Sequence, residues 1–515
     1  MSTRRVELGG DLSLDDVVAI SEGAVATFVD GVAERVEASR LVVEEALTSG
    51  KPVYGVTTGF GSLADVRLSA DQASDLQHAL LRSHAVGVGP ELSAAEVRVM
   101  LALRAQVLAL GYSGVRFEVA NRFLELLERG LLPVVPEKGS LGASGDLAPL
   151  AHLALGAIGE GRVRVSEDRA VPPVGGDEAL RGAGLSPISL KAKEGLALIN
   201  GTQGMTAVGA LAASRARRLV KTADISAAVT VEAILATDRA FDPRVVGLRR
   251  HPGQLASARN LCRILAGSEI LASHRESSHL VQDAYSIRCT PQVHGAARDV
   301  LAHTIAALEV EFASVSDNPI VLADDGEILT CGNFHGQPVG HACDSLAAAL
   351  TGLSSISERR LYRLLDPKTS NGLPPFLVKN AGVNSGFMVC QYTAASLVSE
   401  SKTLAHPATV DSITSSAGQE DHVSMGMIAA RHARECVTNA EAVVALELMA
   451  AAQGCEMRAL LRPAPGTGAA LRTVRRHVAP LEGDRELKPD VDAMVELVRS
   501  GELIETVEAE IGELE

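Results

Sequence analysis

Long segments with a helical spacing of apolar residues constrain the fold of this chain more than any other feature. Several consist mostly of alanine and leucine, which suits helices buried against other helices. Strand patterns are few: residues 162–165 alternate, and residues 320–322 and 327–329 flank Asp325-Gly326, a hairpin turn. We therefore predict a mainly α-helical protein with a core of long bundled helices. The six helical segments span residues 94–110, 195–235, 343–365, 384–404, 434–461 and 491–514.

The length of the chain allows a large buried core. It has 515 residues, of which 46% are hydrophobic, and length alone allows two to four domains. We expect residues 1–200 to form a smaller N-terminal part that carries a glycine-rich loop. Residues 201–515 then supply the central helical bundle and the C-terminal helices, in one continuous structural unit with the first part.

Charge and cysteine usage narrow the classes of partner. A net charge of −15 argues against nucleic acid and against an anionic membrane surface. No apolar run follows Arg4 and Arg5, where Ser13 and Asp16 instead resemble a helix start, and no uncharged apolar stretch reaches about 18 residues. The seven cysteines lack zinc-binding spacing and favour a reducing compartment. These features predict a soluble, cytoplasmic protein without a metal site.

The glycine-rich loop contains three small consecutive residues with unusual chemical potential. Residues 139–150 read Gly-Ser-Leu-Gly-Ala-Ser-Gly-Asp-Leu-Ala-Pro-Leu. In this run the Gly145 amide nitrogen can attack the Ala143 carbonyl carbon, and the Ser144 hydroxyl can leave as water. Cyclisation with loss of two waters would give a methylidene-imidazolone, a strong electrophile. Glycine suits position 145 because it permits close backbone approach and unusual dihedral angles.

A plain turn is the alternative interpretation of the same loop. Short motifs match by chance often, and Ala-Ser-Gly alone is ordinarily structural. The glycine spacing does not fit a dinucleotide site, and no Gly-Lys-Ser/Thr follows for a nucleotide phosphate.

A helix over residues 147–159 is predicted directly after the tripeptide. Asp146 fits its N-cap, Pro149 its first turn, and Gly156 or Gly159 its end. The positive end of this helix would then face the ring and stabilise negative charge there. Two interpretations of Asp146 stay open: capping alone, or capping that also supports the ring.

The longer loop sequence resembles the prosthetic-group motif of the aromatic amino acid ammonia-lyases. The resemblance implies a mainly helical fold like that of these enzymes and of fumarase, and a homotetramer whose active sites are shared between chains. It also implies a 4-methylidene-imidazole-5-one (MIO) group formed from Ala143, Ser144 and Gly145, with no external cofactor. It covers roughly residues 10–510, through runs at residues 53–61, 82–84, 193–202, 282–289, 332–336 and 419–425.

The resemblance also implies a set of site residues. Tyr54 matches the candidate base; a free phenol has a pKa near ~10, so this use needs a lowered pKa or assistance. Arg288 matches the residue that holds the substrate carboxylate, which its planar fork suits. The implied catalytic residues are Ala143, Ser144, Gly145, Tyr54, Tyr285 and Glu420; the implied substrate-binding residues are His84, Asn200, Gln282, Arg288, Phe334 and Gln419.

Each of these residues has an ordinary structural interpretation when taken alone. Tyr54 would be a buried tyrosine with a hydrogen-bonded hydroxyl, and Arg288 a surface arginine paired with Asp283. Asn200 and Gln282 would be polar residues at helix ends or interfaces. Phe334 would be a core phenylalanine.

Two residues bear on the choice of substrate. An imidazole carries a donor and an acceptor, so a selective pocket needs polar partners. His84 is ambiguous, since tyrosine ammonia-lyases also carry histidine there. Glu420 matches a carboxylate of the histidine-specific members that phenylalanine and tyrosine lyases lack; its alternative is an exposed helical carboxylate.

The resemblance predicts deamination of L-histidine to trans-urocanate and ammonia, a step of histidine degradation. The alternatives are a tyrosine or phenylalanine ammonia-lyase, an aminomutase, and a helical scaffold without catalysis. Gly418, Thr290 and His294 depart from the residues typical of bacterial members; they flank the motifs and leave the reaction class intact.

Overall fold

Helices make up most of the computed structural model, which describes residues 4–49, 52–59, 67, 70–277, 281–458 and 460–515. Phe60 and Gly61 of the run at residues 53–61 lie outside the described residues. Short 3-10 turns occur at Arg239–Phe241, Pro375–Leu377, Ala408–Val410 and Ser416–Gly418. The α-helices are α1 (Leu14–Ser21), α2 (Val32–Ser49), α3 (Ala70–His84), α4 (Ala94–Ala109), α5 (Phe117–Glu128), α6 (Leu147–Ile158), α7 (Gly176–Gly182), α8 (Glu194–Ile199), α9 (Gln203–Ala233), α10 (Pro243–Val246), α11 (Pro252–Leu265), α12 (Glu269–Ser273), α13 (Tyr285–Arg288), α14 (Thr290–Phe312), α15 (Gln337–Leu365), α16 (Met388–Leu404), α17 (Gly426–Glu456), α18 (Pro465–His477), α19 (Lys488–Ser500) and α20 (Glu502–Ile511).

The strands are short and form small separate sheets. β1 pairs with β2 in parallel, β3 with β5 antiparallel, and β4, β6 and β7 form an antiparallel sheet in the order β4-β6-β7. The predicted hairpin is confirmed: β8 and β9 pair antiparallel with Ile320 opposite Leu329. The strands are β1 (Arg5–Leu8), β2 (Val25–Phe28), β3 (Val88–Glu91), β4 (Leu132–Pro133), β5 (Pro136–Lys138), β6 (Arg162–Arg164), β7 (Val174–Gly175), β8 (Ile320–Leu322) and β9 (Glu327–Leu329).

The chain divides into two compact units, each built from separate segments. The first comprises residues 1–211, 305–344 and 407–431, and the second comprises residues 212–304, 345–406 and 432–515. Helices α9, α14, α15 and α17 each contribute residues to both units. The predicted boundary at residue 200 stays a prediction.

Several helix ends follow directly from the sequence. Ser13 and Asp16 form the capping box that begins α1, as their spacing predicts. Helix α6 ends at Gly159, whose φ of 94° is left-handed. Helix α4 is buried along nearly its whole length, which agrees with its alanine- and leucine-rich sequence.

Two predicted helices are interrupted, and there the predictions were wrong. The segment 195–235 breaks between α8 and α9 because Gly201 adopts a φ of 148° and bonds to another segment. The segment 491–514 breaks between α19 and α20 at Gly501, with a φ of 88°. Glycine tolerates both conformations, whereas helix periodicity continues across them. The pattern also missed helix α14, which runs for 23 residues.

A buried network of charged side chains lies in the second unit. Asp224 Oδ1 lies 2.7 Å from His294 Nδ1, and Asp224 Oδ2 accepts a hydrogen bond of 2.6 Å from Arg298. His294 Nε2 lies 3.3 Å from Arg360 Nη1, and Arg360 makes a two-point ion pair with Glu447. His294, Asp224, Arg360 and Glu447 are fully buried. His294 therefore bridges two ion pairs through its two ring nitrogens.

None of the helices in the described part of the chain is both long enough and apolar enough to cross a membrane.

Candidate active site

The tripeptide loop forms a tight turn in the first unit. Gly142 and Gly145 form an isolated antiparallel bridge, which closes the backbone around Ala143 and Ser144. Ser144 has a φ of 51°, and Gly142 and Gly145 have φ values of 89° and 80°. A left-handed conformation is uncommon for serine and persists only where neighbouring structure holds it.

Two neighbouring segments hold this turn from opposite ends. A Cβ on Gly142 would overlap Ser424 Oγ, and a Cβ on Gly145 would overlap the carbonyl of Gly201. The Gly201 amide donates to the Ser144 carbonyl over 3.3 Å, and the Asp146 amide donates to the Gly201 carbonyl over 2.7 Å. The break between α8 and α9 therefore supplies the backbone groups that pair with the loop.

Asp146 occupies the N-cap position of α6 but caps a different helix. Its carboxylate makes no cap hydrogen bond to α6; Oδ2 accepts from the Met205 amide in the first turn of α9 over 2.7 Å, and Oδ1 accepts from Ser140 Oγ over 2.8 Å. Complete burial raises the pKa of Asp146 to about 6. The interpretation of Asp146 as a cap of its own helix was therefore wrong, because its carboxylate ties the loop to α9.

Asn200 lies at the end of α8, next to Gly201. Its side chain is 2% exposed, and its Nδ2 donates to the Asn318 carbonyl over 2.6 Å. Its Oδ1 is buried and accepts no hydrogen bond from the described residues. Arg104 fixes the backbone here by donating to the Asn200 carbonyl over 2.7 Å. A buried amide oxygen without a donor is costly, which makes it a ready acceptor for a bound group.

The segment before α17 covers the other side of the loop. Ala143 packs in an apolar cluster with Val423 and Met425, and the Met425 amide donates to the Leu141 carbonyl over 3.0 Å. This segment also carries Gln419 and Glu420, a few residues before its contacts with the loop.

Glu420 lies at the closing end of a short loop. It pairs with Ser415 in an isolated antiparallel bridge, and Ser415 Oγ donates to Glu420 Oε2 over 2.6 Å. Glu420 is half-buried and Gln419 is exposed. Glu420 lies outside the helices, so its alternative interpretation as an exposed helical carboxylate was wrong.

His84 lies within electrostatic range of Glu420. It ends α3, and its Nδ1 lies 2.9 Å from the Leu80 carbonyl, which can only accept; the proton is therefore assigned to Nδ1. Burial lowers the pKa of His84, and the negative charge of Glu420 acts in the opposite direction. The charge of Glu420 therefore acts on the other residue that bears on substrate choice.

Tyr54 lies in a turn that packs against α8. It is half-buried; the next residue, Gly55, has a φ of 64°, and a Cβ there would overlap the Leu196 side chain. The Thr57 amide donates to the Val53 carbonyl over 3.0 Å and closes the turn. The turn therefore rests on the helix that ends at Asn200.

Phe334 lies in the turn before α15. It is half-buried. The His335 amide closes the turn by donating a hydrogen bond of 2.9 Å to the Gly332 carbonyl. A Cβ on Gly336 would overlap the sulfur of Met205 and would lie 3.3 Å from Ser424 Oγ. This turn consequently shares two packing partners with the tripeptide loop and its neighbours.

The remaining predicted site residues lie in the second unit. Gln282 is exposed, and Tyr285 in α13 is 70% exposed. The Arg288 guanidinium lies 4.4 Å from the centroid of the Tyr285 ring, and its Nε donates to the backbone carbonyl of Asp283 over 3.1 Å. The Asp283 carboxylate instead accepts from the Thr237 amide over 2.9 Å. Arg288 is therefore held by a ring and a carbonyl.

The first unit thus gathers most of the predicted residues. The segments joined by direct contacts carry Ala143, Ser144, Gly145, Asn200, Phe334, Gln419 and Glu420, and His84 and Tyr54 lie on elements that border them. Sequence reasoning missed the packing residues Met205 and Ser424. It also missed the stacked rings of His335 and His422. Both histidines lie inside the quoted motif runs, which was the available signal. Among the described residues, no three histidine, cysteine, aspartate or glutamate side chains group so that they could hold a metal ion.

Known proteins with similar sequences and structures extend over the whole chain. The histidine ammonia-lyase of Symbiobacterium thermophilum is 53% identical over 511 residues, which cover 99% of this chain and 99% of that protein. The crystal structure of histidine ammonia-lyase from Trypanosoma cruzi superposes with a TM-score of 0.90 at 41% identity, covering 98% of this chain and 96% of that one. The tyrosine aminomutase of Streptomyces globisporus superposes with a TM-score of 0.92 at 36% identity, covering 99% and 100%.

These similarities confirm the predicted mainly helical fold and the predicted class of reaction, that of a lyase. The family model for aromatic amino acid lyases matches residues 12–476, a range that includes the strained tripeptide turn and every segment packed against it. The chain belongs to the aromatic amino acid lyase family.

Proposed function

We propose that this chain is a histidine ammonia-lyase, which converts L-histidine into trans-urocanate and ammonia. The observation that carries the proposal is the left-handed turn at Ser144, closed by the Gly142–Gly145 bridge and pressed against Gly201. A relative that is 53% identical over the full length bears the same name.

The loop residues fit an MIO group formed from Ala143, Ser144 and Gly145. One new bond joins the Gly145 nitrogen to the Ala143 carbonyl carbon, whose oxygen leaves as water. The Ser144 hydroxyl leaves as a second water together with its α-hydrogen. The closed turn shortens the path between nitrogen and carbon, the missing Cβ at residue 145 leaves the approach open, and the unpaired Asn200 Oδ1 offers a buried acceptor.

Elimination of ammonia requires a β-proton to leave together with the amino group. The MIO group, when formed, supplies an electrophile that activates the substrate for this step. In our proposal Tyr54 takes the β-proton, the Cα–N bond breaks as the Cα–Cβ double bond forms, and ammonia departs. Arg288 binds the substrate carboxylate with its planar fork. Tyr285 acts with Tyr54 in catalysis, and Asn200 and Gln282 orient the substrate.

Substrate choice rests on the polar residues around the side-chain pocket. Glu420 supplies an acceptor for the substrate imidazole, and His84, with its proton on Nδ1, presents Nε2 as a second acceptor. Gln419 lies beside Glu420, and Phe334 forms an apolar wall. The electrostatic effect of Glu420 on His84 supports a joint role. A site built to pair polar groups rejects an analogue that lacks them by on the order of 10⁴ to 10⁵.

We further propose that the enzyme is cytoplasmic and assembles as a homotetramer whose sites are shared between chains. The family resemblance is one support. Another is the exposure of large side chains beside the site residues of the second unit: Val281 is fully exposed and Tyr285 is 70% exposed. Exposed apolar side chains next to site residues suit burial by a second chain. The seven free cysteines suit a reducing compartment.

A panel of substrates tests the function. The purified chain is mixed in turn with L-histidine, L-tyrosine and L-phenylalanine, and the distinct ultraviolet absorbance of urocanate, coumarate and cinnamate is followed. We expect turnover of histidine far above that of the other two. Faster formation of coumarate or cinnamate, or a β-amino acid as the main product, would overturn the assignment.

Intact-protein mass spectrometry tests the prosthetic group separately. We expect a deficit of two water molecules that maps to a peptide containing residues 143–145. A full mass at that peptide, together with no turnover of any of the three amino acids, would favour a helical scaffold without catalysis.

A further inference from the structure

Two histidines that the proposed chemistry leaves unused stack on each other in the first unit. The ring centroids of His335 and His422 are 5.8 Å apart and their planes differ by 6°. This offset parallel arrangement is one that aromatic rings favour. His335 is half-buried and His422 is exposed, so the pair lies at the surface of the first unit.

Each ring belongs to a segment that carries a proposed substrate-binding residue. His335 directly follows Phe334, the proposed apolar wall. His422 lies two residues after Glu420, the proposed partner of the substrate imidazole. The ring pair therefore links the segment of the wall to the segment of the carboxylate.

Next to the two histidines, the segments that carry them are already fixed by close packing. Gly336 has no room for a Cβ against the Met205 side chain and lies close to Ser424. The Val423 amide donates to Ser412 Oγ over 3.0 Å, and Val423 is buried. The base of both segments consequently does not depend on the histidines.

The loop that carries Glu420 is strained at its tip. Ser416, Ala417 and Gly418 have φ values of 47°, 52° and 91°, three left-handed residues in a row. Such conformations cost free energy for serine and alanine and persist only when contacts around them hold the backbone. The Ser415–Glu420 bridge closes the loop on itself, and the ring of His422 ties the end of the loop to another segment.

We propose that His335 and His422 are positioning residues, whose stacked rings hold the Glu420 loop against the Phe334 turn so that the carboxylate meets the substrate imidazole. This inference rests on the proposed histidine ammonia-lyase activity. Flat ring surface is the property that matters, so phenylalanine can replace histidine at residue 422 and alanine cannot.

Steady-state kinetics of His422→Ala and His422→Phe test the inference. We expect His422→Ala to raise KM for L-histidine about 3- to 10-fold, the effect of one stacked ring pair, with kcat within about twofold of the parent. We expect His422→Phe to restore most of the loss. His303→Ala, which removes an exposed histidine from α14, is the matched control and should leave both constants unchanged.

A double-mutant cycle tests whether His422 acts through Glu420. If His422 acts by positioning Glu420, His422→Ala adds little to the loss already caused by Glu420→Gln. Independent, multiplicative losses would overturn the inference, as would a parent-like KM in His422→Ala or a failure of His422→Phe to restore KM.

The outcomes separate this inference from the proposed function. If the parent enzyme does not turn over L-histidine, the proposed function fails, and the inference fails with it. If the parent is active and carries the two-water mass deficit while His422→Ala matches it in KM, the inference alone fails. The mass deficit in each variant shows that the loop formed normally.

Discussion

Ser144 gathers the unusual features of this molecule at one residue. It holds a left-handed backbone that costs a serine roughly 1–2 kcal/mol, and it does so between a bridge at Gly142–Gly145 and a hydrogen bond from Gly201. Its local sequence, with one small residue of the tripeptide on each side, was enough to predict a reactive loop, and this chemistry stays a prediction. The partners that hold it were not predictable, because Gly201 and Ser424 come from distant parts of the chain.

Replacing the hydroxyl of Ser144 tests its chemical role. Ser144→Ala should fold normally and lose at least about a thousandfold in kcat for L-histidine, because it has no hydroxyl to eliminate. Its mass should show no two-water deficit. Ser140→Ala is the control, since it removes a hydroxyl from the same loop and should retain the deficit. Activity near that of the parent in Ser144→Ala would contradict the mechanism.

Neutralising Glu420 tests its role in reading the substrate. Glu420→Gln should lower kcat/KM for L-histidine by about 10- to 10²-fold, the value of a charged hydrogen bond lost to substrate. Any activity on L-phenylalanine should change little, since that side chain offers no polar partner. Asp421→Asn, at the exposed neighbouring carboxylate, serves as the comparison. Equal losses on both substrates would remove Glu420 from substrate recognition.

At the scale of elements, sequence periodicity predicted which segments are helical and failed at their interruptions. Helix α4 and the β8–β9 hairpin lie where the pattern predicts them, because their signals are local. The break between α8 and α9 was missed because apolar spacing continues through it while Gly201 bonds to the tripeptide loop. Asp146 was also misinterpreted. Its sequence position predicts an N-cap of α6, whereas its carboxylate accepts a hydrogen bond from the first turn of α9, which is distant in the sequence.

The two missed breaks give a matched pair of glycine substitutions. At Gly501 a Cβ would meet nothing nearer than 3.8 Å, so Gly501→Ala should cost only the left-handed penalty, roughly 1 kcal/mol. At Gly201 a Cβ would come within 2.7 Å of Arg104 and 2.8 Å of the Ser316 carbonyl, so Gly201→Ala should cost about 3 kcal/mol or more. Denaturant unfolding measures both. Similar costs at the two positions would show that the Gly201 contacts are not tight.

His294, noted in the sequence only as a departure from related proteins, acquires a structural role in α14. Burial lowers its pKa, so the native state keeps it neutral while the unfolded state binds a proton below pH ~6.5. Stability contributed by neutral His294 is therefore present above the unfolded pKa and is lost as the pH falls below it. The depressed pKa of Asp224 acts in the same direction at lower pH.

The pH dependence of unfolding tests this network. Between pH 7 and 5 the free energy of unfolding of the parent should fall more steeply than that of His294→Gln, by at most about 1.4 kcal/mol per pH unit for one proton. His303→Gln changes an exposed histidine on the same helix and should keep the parent slope. If the free energy of unfolding of His294→Gln falls as steeply with pH as that of the parent, protonation of His294 does not cause this pH dependence.

At the scale of the whole molecule, the predicted site residues fall into two compact units. Ser144 and Glu420 belong to the first and Arg288 to the second. The family, the fold class and the lyase reaction were all predictable because long motif runs recur in order. The homotetramer stays a prediction, because nothing local in the sequence shows whether a second chain covers exposed residues such as Val281 and Tyr285.

Mixing two inactive variants tests whether sites are shared between chains. When Ser144→Ala and Arg288→Ala chains are coexpressed in equal amounts, about a quarter of shared sites should contain both intact residues, because each comes from a different chain. Activity should therefore return to about a quarter of the parent value. If both residues come from one chain, the mixture stays as inactive as the separate variants.

The contact between Gly145 and Gly201 also sets an order of events in the life of each molecule. These two glycines belong to separate segments, so their contact forms only when the surrounding helices have assembled. If the proposed MIO group depends on this contact, ring closure follows folding. Formation of the ring would then proceed within each molecule, at a rate independent of protein concentration. A freshly made population would be structurally complete before it becomes catalytically competent.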